Sequence, residues 1–188
     1  MASLAQLDVI VTGYADDRVA STCTLLRDGS TIVLIDPGMV ARRSLLTDPL
    51  DSFGLTPEDV TDIVISHHHP DHTMNVALFQ NARVHDLMAT YVNDEWIDHE
   101  SDFALTDSIR MMPTPGHTDQ DVTTLVQTAD GLAALTHLWW TADGPADDPF
   151  AGDRGVLRAS REAVLALSPA LIVPGHGAPF APSESTAR

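Results

Sequence analysis

A chain of 188 residues is long enough to bury one hydrophobic core and short for two ordinary domains with a linker, so a single domain over residues 1–188 is expected. With 44% apolar and 20% charged residues the composition is that of a globular protein, and no apolar run approaches the roughly 18 residues a membrane span needs. A formal net charge of −17, with ten arginines and no lysine, excludes the basic surface on which polyphosphate binding relies, so nucleic acid is not the expected partner.

The first ten residues carry no basic side chain and no small-residue cleavage pattern, which predicts no secretory leader, no membrane partner and a cytoplasmic location. Residues 7–12 and 21–26 are rich in β-branched and apolar types, and Asp28-Gly29 marks a tight turn before residues 31–35, so the first third reads as a β-meander. Cys23, inside one of these runs, reads as a small buried hydrophobe. Asp36-Pro37-Gly38 turns the chain into a helical stretch over residues 42–53, where Leu45, Leu46 and Leu50 share a face. Thr56-Pro57-Glu58-Asp59 has the pattern of a capped helical turn with Pro first, and it leads into a buried-type strand over residues 62–66. The second half supplies strands over residues 110–112, 122–127 and 132–136, a helix over 154–167 and a strand over 170–173. The Asp-, Pro- and Gly-rich stretch 142–155 reads as a long, mobile loop.

Histidines follow four of these strands. Ser66-His67-His68-His69-Pro70-Asp71-His72 comes after residues 62–66, His117 after Pro115-Gly116, His137 after Leu135-Thr136, and His176 after Pro174-Gly175. Imidazole and carboxylate hold zinc or iron in hydrolytic sites, and several chain segments must supply them to leave an open position. On an extended loop His67 and His69 point to the same side, while Asp71 and His72, beyond the Pro70 turn, can face a second ion. A solvated histidine-rich loop is the competing reading; the internal position behind a buried strand and the inclusion of Asp71 weigh against it. His68, His85 and His99 are read as structural or surface residues.

The run from Ser66 to His72 resembles the HxHxDH signature of the metallo-β-lactamase superfamily, Pro115-Gly116-His117-Thr118 and Pro174-Gly175-His176-Gly177 resemble its later histidine motifs, and Asp36-Pro37-Gly38 resembles its early D-x-G motif. Gly13-Tyr14-Ala15, the 75–79 stretch and the ending from Val173 to Phe180 are most similar to the small proteins related to metallo-β-lactamase domain-containing protein 1. The resemblance implies an α/β fold, an αββα sandwich with two metals along one edge. It assigns His67, His69 and His117 to one ion and Asp71, His72 and His176 to the other. Asp36 becomes a brace for the histidine loop, although Asp suits a plain turn equally well.

The family's bridging aspartate is replaced here by His137. A neutral imidazole offers one lone pair to one metal, so two dications would be less neutralised. We expect one tight and one weaker metal, or two metals joined through water-derived oxygen, with His137 a ligand; the alternative packs His137 beside Trp139 and lets Asp143 or Asp147 swing in. Trp139 and Trp140 read as core or lid residues, one of them a candidate pocket wall. The implied activity is that of a metal-dependent hydrolase of a small ester, lactone, lactam or thioester, using Zn2+ (one or two ions, with Fe or Mn also compatible) and Asp71 as the catalytic carboxylate that orients the attacking hydroxide. A phosphodiesterase or nuclease, a diiron redox protein and a catalytically poor metal-binding protein are the alternatives. The oligomeric state stays open, a homodimer included.

Overall fold

Alternation of apolar side chains along the strands decides which residues face which layer. The computed structural model describes residues 4–99 and 103–188. One sheet is built from β1 (Gln6–Val11), β4 (Cys23–Asp28), β5 (Thr31–Ile35), β6 (Asp62–Val64), β7 (Arg83–His85), β8 (Ala89–Val92) and β9 (Glu95–Asp98), side by side in that order. The second contains β10 (Phe103–Ala104), β11 (Ile109–Pro113), β12 (Val122–Thr128), β13 (Gly131–Thr136) and β14 (Leu171–Pro174). β2 (Tyr14–Ala15) and β3 (Val19–Ala20) pair separately as a small ribbon.

Three apolar clusters give the layer order. Leu26, Val33, Ile35 and Val64 of the first sheet meet Ile109, Met111, Val126, Leu135 and Val173 of the second, which places these side chains between the sheets. Their sequence neighbours point the other way: Leu25, Leu34 and Ile63 pack with Leu46 and Leu50 of α1 (Ser44–Asp51) on the outer face of the first sheet. Leu125, Ala134 and Ile172 pack with Leu157 and Val164 of α3 (Arg154–Ala166) on the outer face of the second. Helix, sheet, sheet and helix follow one another, as the expected αββα sandwich requires. Cys23 lies in the outer cluster, where burial and then the charge of Asp36 push its thiol well above the ordinary range and keep it unreactive.

The parallel pairs position the site. β5, β6 and β7 run parallel, with Ile35 opposite Val64 and Val64 opposite His85; β13 and β14 run parallel, with Leu135 opposite Val173. Their C-terminal ends therefore emerge on one side, where ligands gather in open α/β sheets.

Observed boundaries of the expected strands and helices differ by at most two residues, as the ends of elements commonly do. Two differences are larger. Residues 83–98 form three strands that periodicity did not announce, with Asn93 in the left-handed region (φ 54°) at the turn between β8 and β9. The stretch expected to be a mobile loop is tied down: buried Arg161 of α3 donates to the carbonyls of Pro145 (3.0 Å), Ala146 (2.6 Å) and Leu138 (2.8 Å). Among the described residues no helix is long and apolar enough to cross a membrane.

Candidate metal centre

The turn after β5 shapes the site first. Asp36 adopts a left-handed backbone (φ 52°), which Asp tolerates better than most residues. Its Oδ1 accepts from the Ser66 N–H at 2.7 Å and its Oδ2 from His72 Nδ1 at 2.8 Å. The residue is thus turn former and brace at once. Gly38 must be glycine, since a Cβ there would overlap the Asp71 carbonyl. That close approach lets α2 (Pro70–Thr73) dock on the turn, with the Met39 N–H donating to Asp71 O and the Asn75 side chain to Gly38 O. Pro70 sits at the first helical position, where its fixed φ suits a helix and its missing N–H leaves no bond unmade. Asp71 and His72 therefore project from a helical turn rather than from an extended loop.

All seven sequence-predicted ligands come together. His67 Nε2 and His117 Nε2 each lie 3.0 Å from His69 Nδ1. Asp71 Oδ2 lies 3.4 Å from His72 Nε2 and 3.5 Å from His176 Nε2. His137 Nε2 lies 3.0 Å from His176 Nε2, and its ring centroid is 4.1 Å from that of His117 and 4.6 Å from that of His67. Gly175 makes room for that ring, because a Cβ there would overlap it. His67, His72, His117, His137 and His176 are buried, whereas His69 and Asp71 are half-buried and line a cleft of 470 Å³.

The far side of each ring fixes which nitrogen faces inward. Asp148 Oδ2 binds His117 Nδ1 at 2.8 Å, the Ala20 carbonyl accepts from His176 Nδ1 at 2.9 Å, and Ser66 Oγ lies 3.1 Å from His67 Nδ1. The carboxylate and the carbonyl can only accept, so the protons of His117 and His176 sit on Nδ1 and their Nε2 lone pairs face the neighbouring imidazoles. Lone pairs crowded at 3.0 Å repel unless a cation lies among them. Tetrahedral ligands at a zinc–nitrogen distance of about 2.0–2.1 Å stand about 3.3 Å apart, so the spacings match an ion common to His67, His69 and His117. The Asp71, His72 and His176 atoms have the spacing for a second. Within the site, the buried His72 Nε2 and His137 Nδ1 have no hydrogen-bond partner; His72 belongs to that second set, and His137 groups with His67 and His72. The donors, six imidazoles and one carboxylate, suit zinc, iron or manganese.

Electrostatics agrees with a cation-seeking site. Burial first, and then the neighbouring histidines, depress His67 and His137 far below the ordinary imidazole range, so both are neutral donors. Burial also lowers His176 and His69. Burial pushes Asp71 up, but the close approach of His72 at 3.4 Å and its charge, with that of His176, outweigh it and hold the carboxyl at about 2. His72 is the exception: burial lowers it, yet Asp36 and Asp71 together raise it to about 9. An ion on Nε2 would take the place of that proton.

Neither Asp143 nor Asp147 swings toward His137; both are exposed, and Asp147 pairs with Arg154 at 3.5 Å. The acid that does enter from this loop is Asp148, which stands behind His117. Trp139 is buried in the core, its indole N–H donating to Ala187 O, while Trp140 lines the cleft with its ring stacked on Phe150 at 5.9 Å. His68 pairs with Asp86 at 2.9 Å, His85 is buried against Asp62 and Thr90, and His99 stacks on Phe103, all three outside the ligand sets. A cavity of 550 Å³ between the start of β1 and the β12–β13 turn carries Arg27, Asp8 and Asp130 but no histidine.

The profile of the metallo-β-lactamase superfamily matches residues 16–107. Metallo-beta-lactamase domain-containing protein 1 of Xenopus laevis is 28% identical over 187 residues, covering 92% of this chain and 79% of the relative. The Mus musculus protein of that name is 33% identical over 162 residues, covering 79% of this chain, which spans 60% of the mouse protein's length. A solved quorum-quenching N-acyl homoserine lactone lactonase shares the fold, with a TM-score of 0.67 and 19% identity over 93% of this chain and 92% of that one. The motifs, the αββα layers and these likenesses agree, and together they support membership of the metallo-β-lactamase superfamily.

Proposed function

We propose that the protein is a metal-dependent hydrolase of uncharged carbonyl substrates, esters and lactones first, with lactams and thioesters as the same chemistry on other leaving groups. The observation that carries this reading is the pair of ligand sets, His67/His69/His117 and Asp71/His72/His176, opening on one cleft. Ions held there supply hydroxide near neutral pH and polarise a carbonyl oxygen. His137, which lies 3.0 Å from His176 and also groups with His67 and His72, is assigned to the same centre.

The chain's own residues do the rest. Asp71, ionised down to about pH 2, accepts a hydrogen bond from the attacking water and orients it. Val19, Pro70, Trp140 and Phe150 give the cleft apolar walls that seat an acyl group and exclude solvent, and the leaving group faces the open mouth, where water protonates it. Asp16 at the lining adds negative charge, no Lys or Arg lines this cleft among the described residues, and the net charge is −17. Anionic substrates, phosphodiesters among them, are disfavoured by that field. The lactonase likeness supports the neutral ring-ester class.

The test is a panel of a p-nitrophenyl ester, a γ-lactone, a chromogenic lactam, a thioester and a phosphodiester, run with added zinc or manganese and after chelation. Chelator-sensitive turnover of the neutral acyl substrates is expected. Turnover of the phosphodiester in preference to every acyl substrate, or turnover of none, would overturn the reading.

A further inference from the structure

Asp148 stands on a segment without regular structure, 31 residues from His117, with its side chain wholly buried. Its two oxygens serve three unrelated parts of the site. Oδ2 accepts from His117 Nδ1 and from Trp140 Nε1, each at 2.8 Å, and Oδ1 accepts from the Phe150 N–H at 2.9 Å. The segment is held in turn by Arg161, whose guanidinium binds the Pro145 and Ala146 carbonyls. One carboxylate therefore links a candidate metal ligand to both members of the stacked aromatic pair that walls the cleft.

We propose that Asp148 is a positioning residue that couples metal retention by His67, His69 and His117 to the shape of the Trp140–Phe150 wall. This rests on the reading that those three histidines hold an ion. The reason is the sharing of Oδ2. An ion on His117 Nε2 withdraws electron density and makes Nδ1–H a stronger donor, so the carboxylate is held harder at the point where the indole N–H also binds. Removal of the carboxylate frees the ring, leaves the indole N–H without its acceptor and releases the Phe150 backbone together.

Asp36 is the natural control. It holds His72 in the same manner at 2.8 Å, but its other bonds go to Ser66 and to the turn it forms, and it does not line the cleft. The two carboxylates should act on different ions, and one of them alone should act on the wall.

The experiment is zinc titration of the full chain against a chromogenic chelator, with tryptophan emission followed in parallel, for wild type, Asp148→Asn, Asp36→Asn and Trp140→Phe. Asp148→Asn is expected to weaken one zinc step by about 10- to 100-fold, the usual effect of removing a carboxylate behind a metal-bound histidine. Its emission response should vanish even at saturating zinc. Asp36→Asn should weaken the other step and keep the emission response; Trp140→Phe should abolish the response and tighten the Asp148-dependent step a few-fold as the freed lone pair returns to His117. Zinc steps and emission unchanged in Asp148→Asn would overturn the coupling. Should Asp148→Asn fail to fold, an unshifted zinc step in Trp140→Phe overturns it instead. No zinc uptake by the wild type would sink the metal reading itself, a separate result.

Discussion

The two sheets furnish the metal centre in different ways. The first delivers His67, His69, Asp71 and His72 from one loop and one helical turn, braced by Asp36 at the end of the neighbouring strand. The second delivers His117, His137 and His176 from three strand ends, with His117 held by Asp148 and His176 held by the Ala20 carbonyl of the β2–β3 ribbon. Half of the centre is therefore a local structure, complete once a short segment has folded. The other half exists only after β11, β13, β14 and the 142–155 segment have assembled. Damage to the first half should strike the ligands directly, and damage to the second should reach them through packing.

The largest effect that separates these cases is expected from the double substitution His67→Ala/His69→Ala. It removes two of the three nitrogens of one set while leaving the second sheet untouched, so turnover should be abolished and the zinc content should fall by at least one equivalent. Metal analysis with the ester assay checks this, and surviving turnover would break the assignment of the local half. His137→Ala comes next. If His137 donates to the ion beside His176, this variant should keep one tight zinc and lose the other on exhaustive dialysis; two tightly held ions would return His137 to a packing role.

A buried histidine–carboxylate pair is not by itself functional, and the lower part of the first sheet supplies the contrast. Asp62 accepts from His85 Nε2 at 2.8 Å, from Thr61 Oγ1 at 2.7 Å and from Arg83 at 2.8 Å, with both His85 and Asp62 fully buried. Asp62→Ala leaves His85 Nε2 without its partner while Nδ1 keeps Thr90, and should cost about 1–3 kcal/mol of stability, with zinc content unchanged. Burial pushes the Asp62 carboxyl up, but the bonds from His85 and Thr61 and the charge of Arg83 hold it below the ordinary carboxylate range. A folded-state pKa below the unfolded value of about 3.9 stabilises the protein above that pH, and the contribution is lost as pH falls through the lower value. Unfolding curves between pH 5 and pH 2 should therefore be steeper for the wild type than for Asp62→Asn.

The same division explains what could be read from the sequence. His67 to His72 lie together, so their spacing marked them as candidate ligands, whereas the αββα layers were implied by the family resemblance; in the structure Ile32 and Leu34 of β5 alternate with Val33 and Ile35 between the two sides of the sheet. His117 and His176 carried Pro-Gly-His signals of their own. Asp148 carried none, because its role is defined by a ring 31 residues away and by an arginine on a later helix. The hairpin of β8 and β9 was hidden for another reason: all four residues of β9 are exposed, so no buried face imposes a pattern on it. An Ala-Thr-Tyr-Val run and a Glu-Trp-Ile-Asp run around Asn93-Asp94 were the available signal, a turn pair between β-forming residues.

The smallest expected effect tests the claim that the second half is reached through packing. Asp153 caps α3, accepting from the Gly155 N–H at 2.7 Å and the Val156 N–H at 3.2 Å. Asp153→Ala should cost about 1 kcal/mol and lower Tm by about 2–4 °C. Leu157 of that first turn lies against Gly116, tightly enough that a Cβ on the glycine would press on its Cδ1, and His117 is the next residue. Fraying the helix should thus loosen His117 and produce a small, measurable weakening of the zinc step that depends on Asp148. Asp59 offers the matched control in the first half: its carboxylate accepts from the Thr56 N–H at 2.8 Å, capping the turn before β6, on an exposed surface away from the cleft. Asp59→Ala should leave both zinc steps where they are. Equal zinc shifts in the two cap variants would mean that general loss of stability, rather than a packed path through α3, governs how the second half holds its ligands.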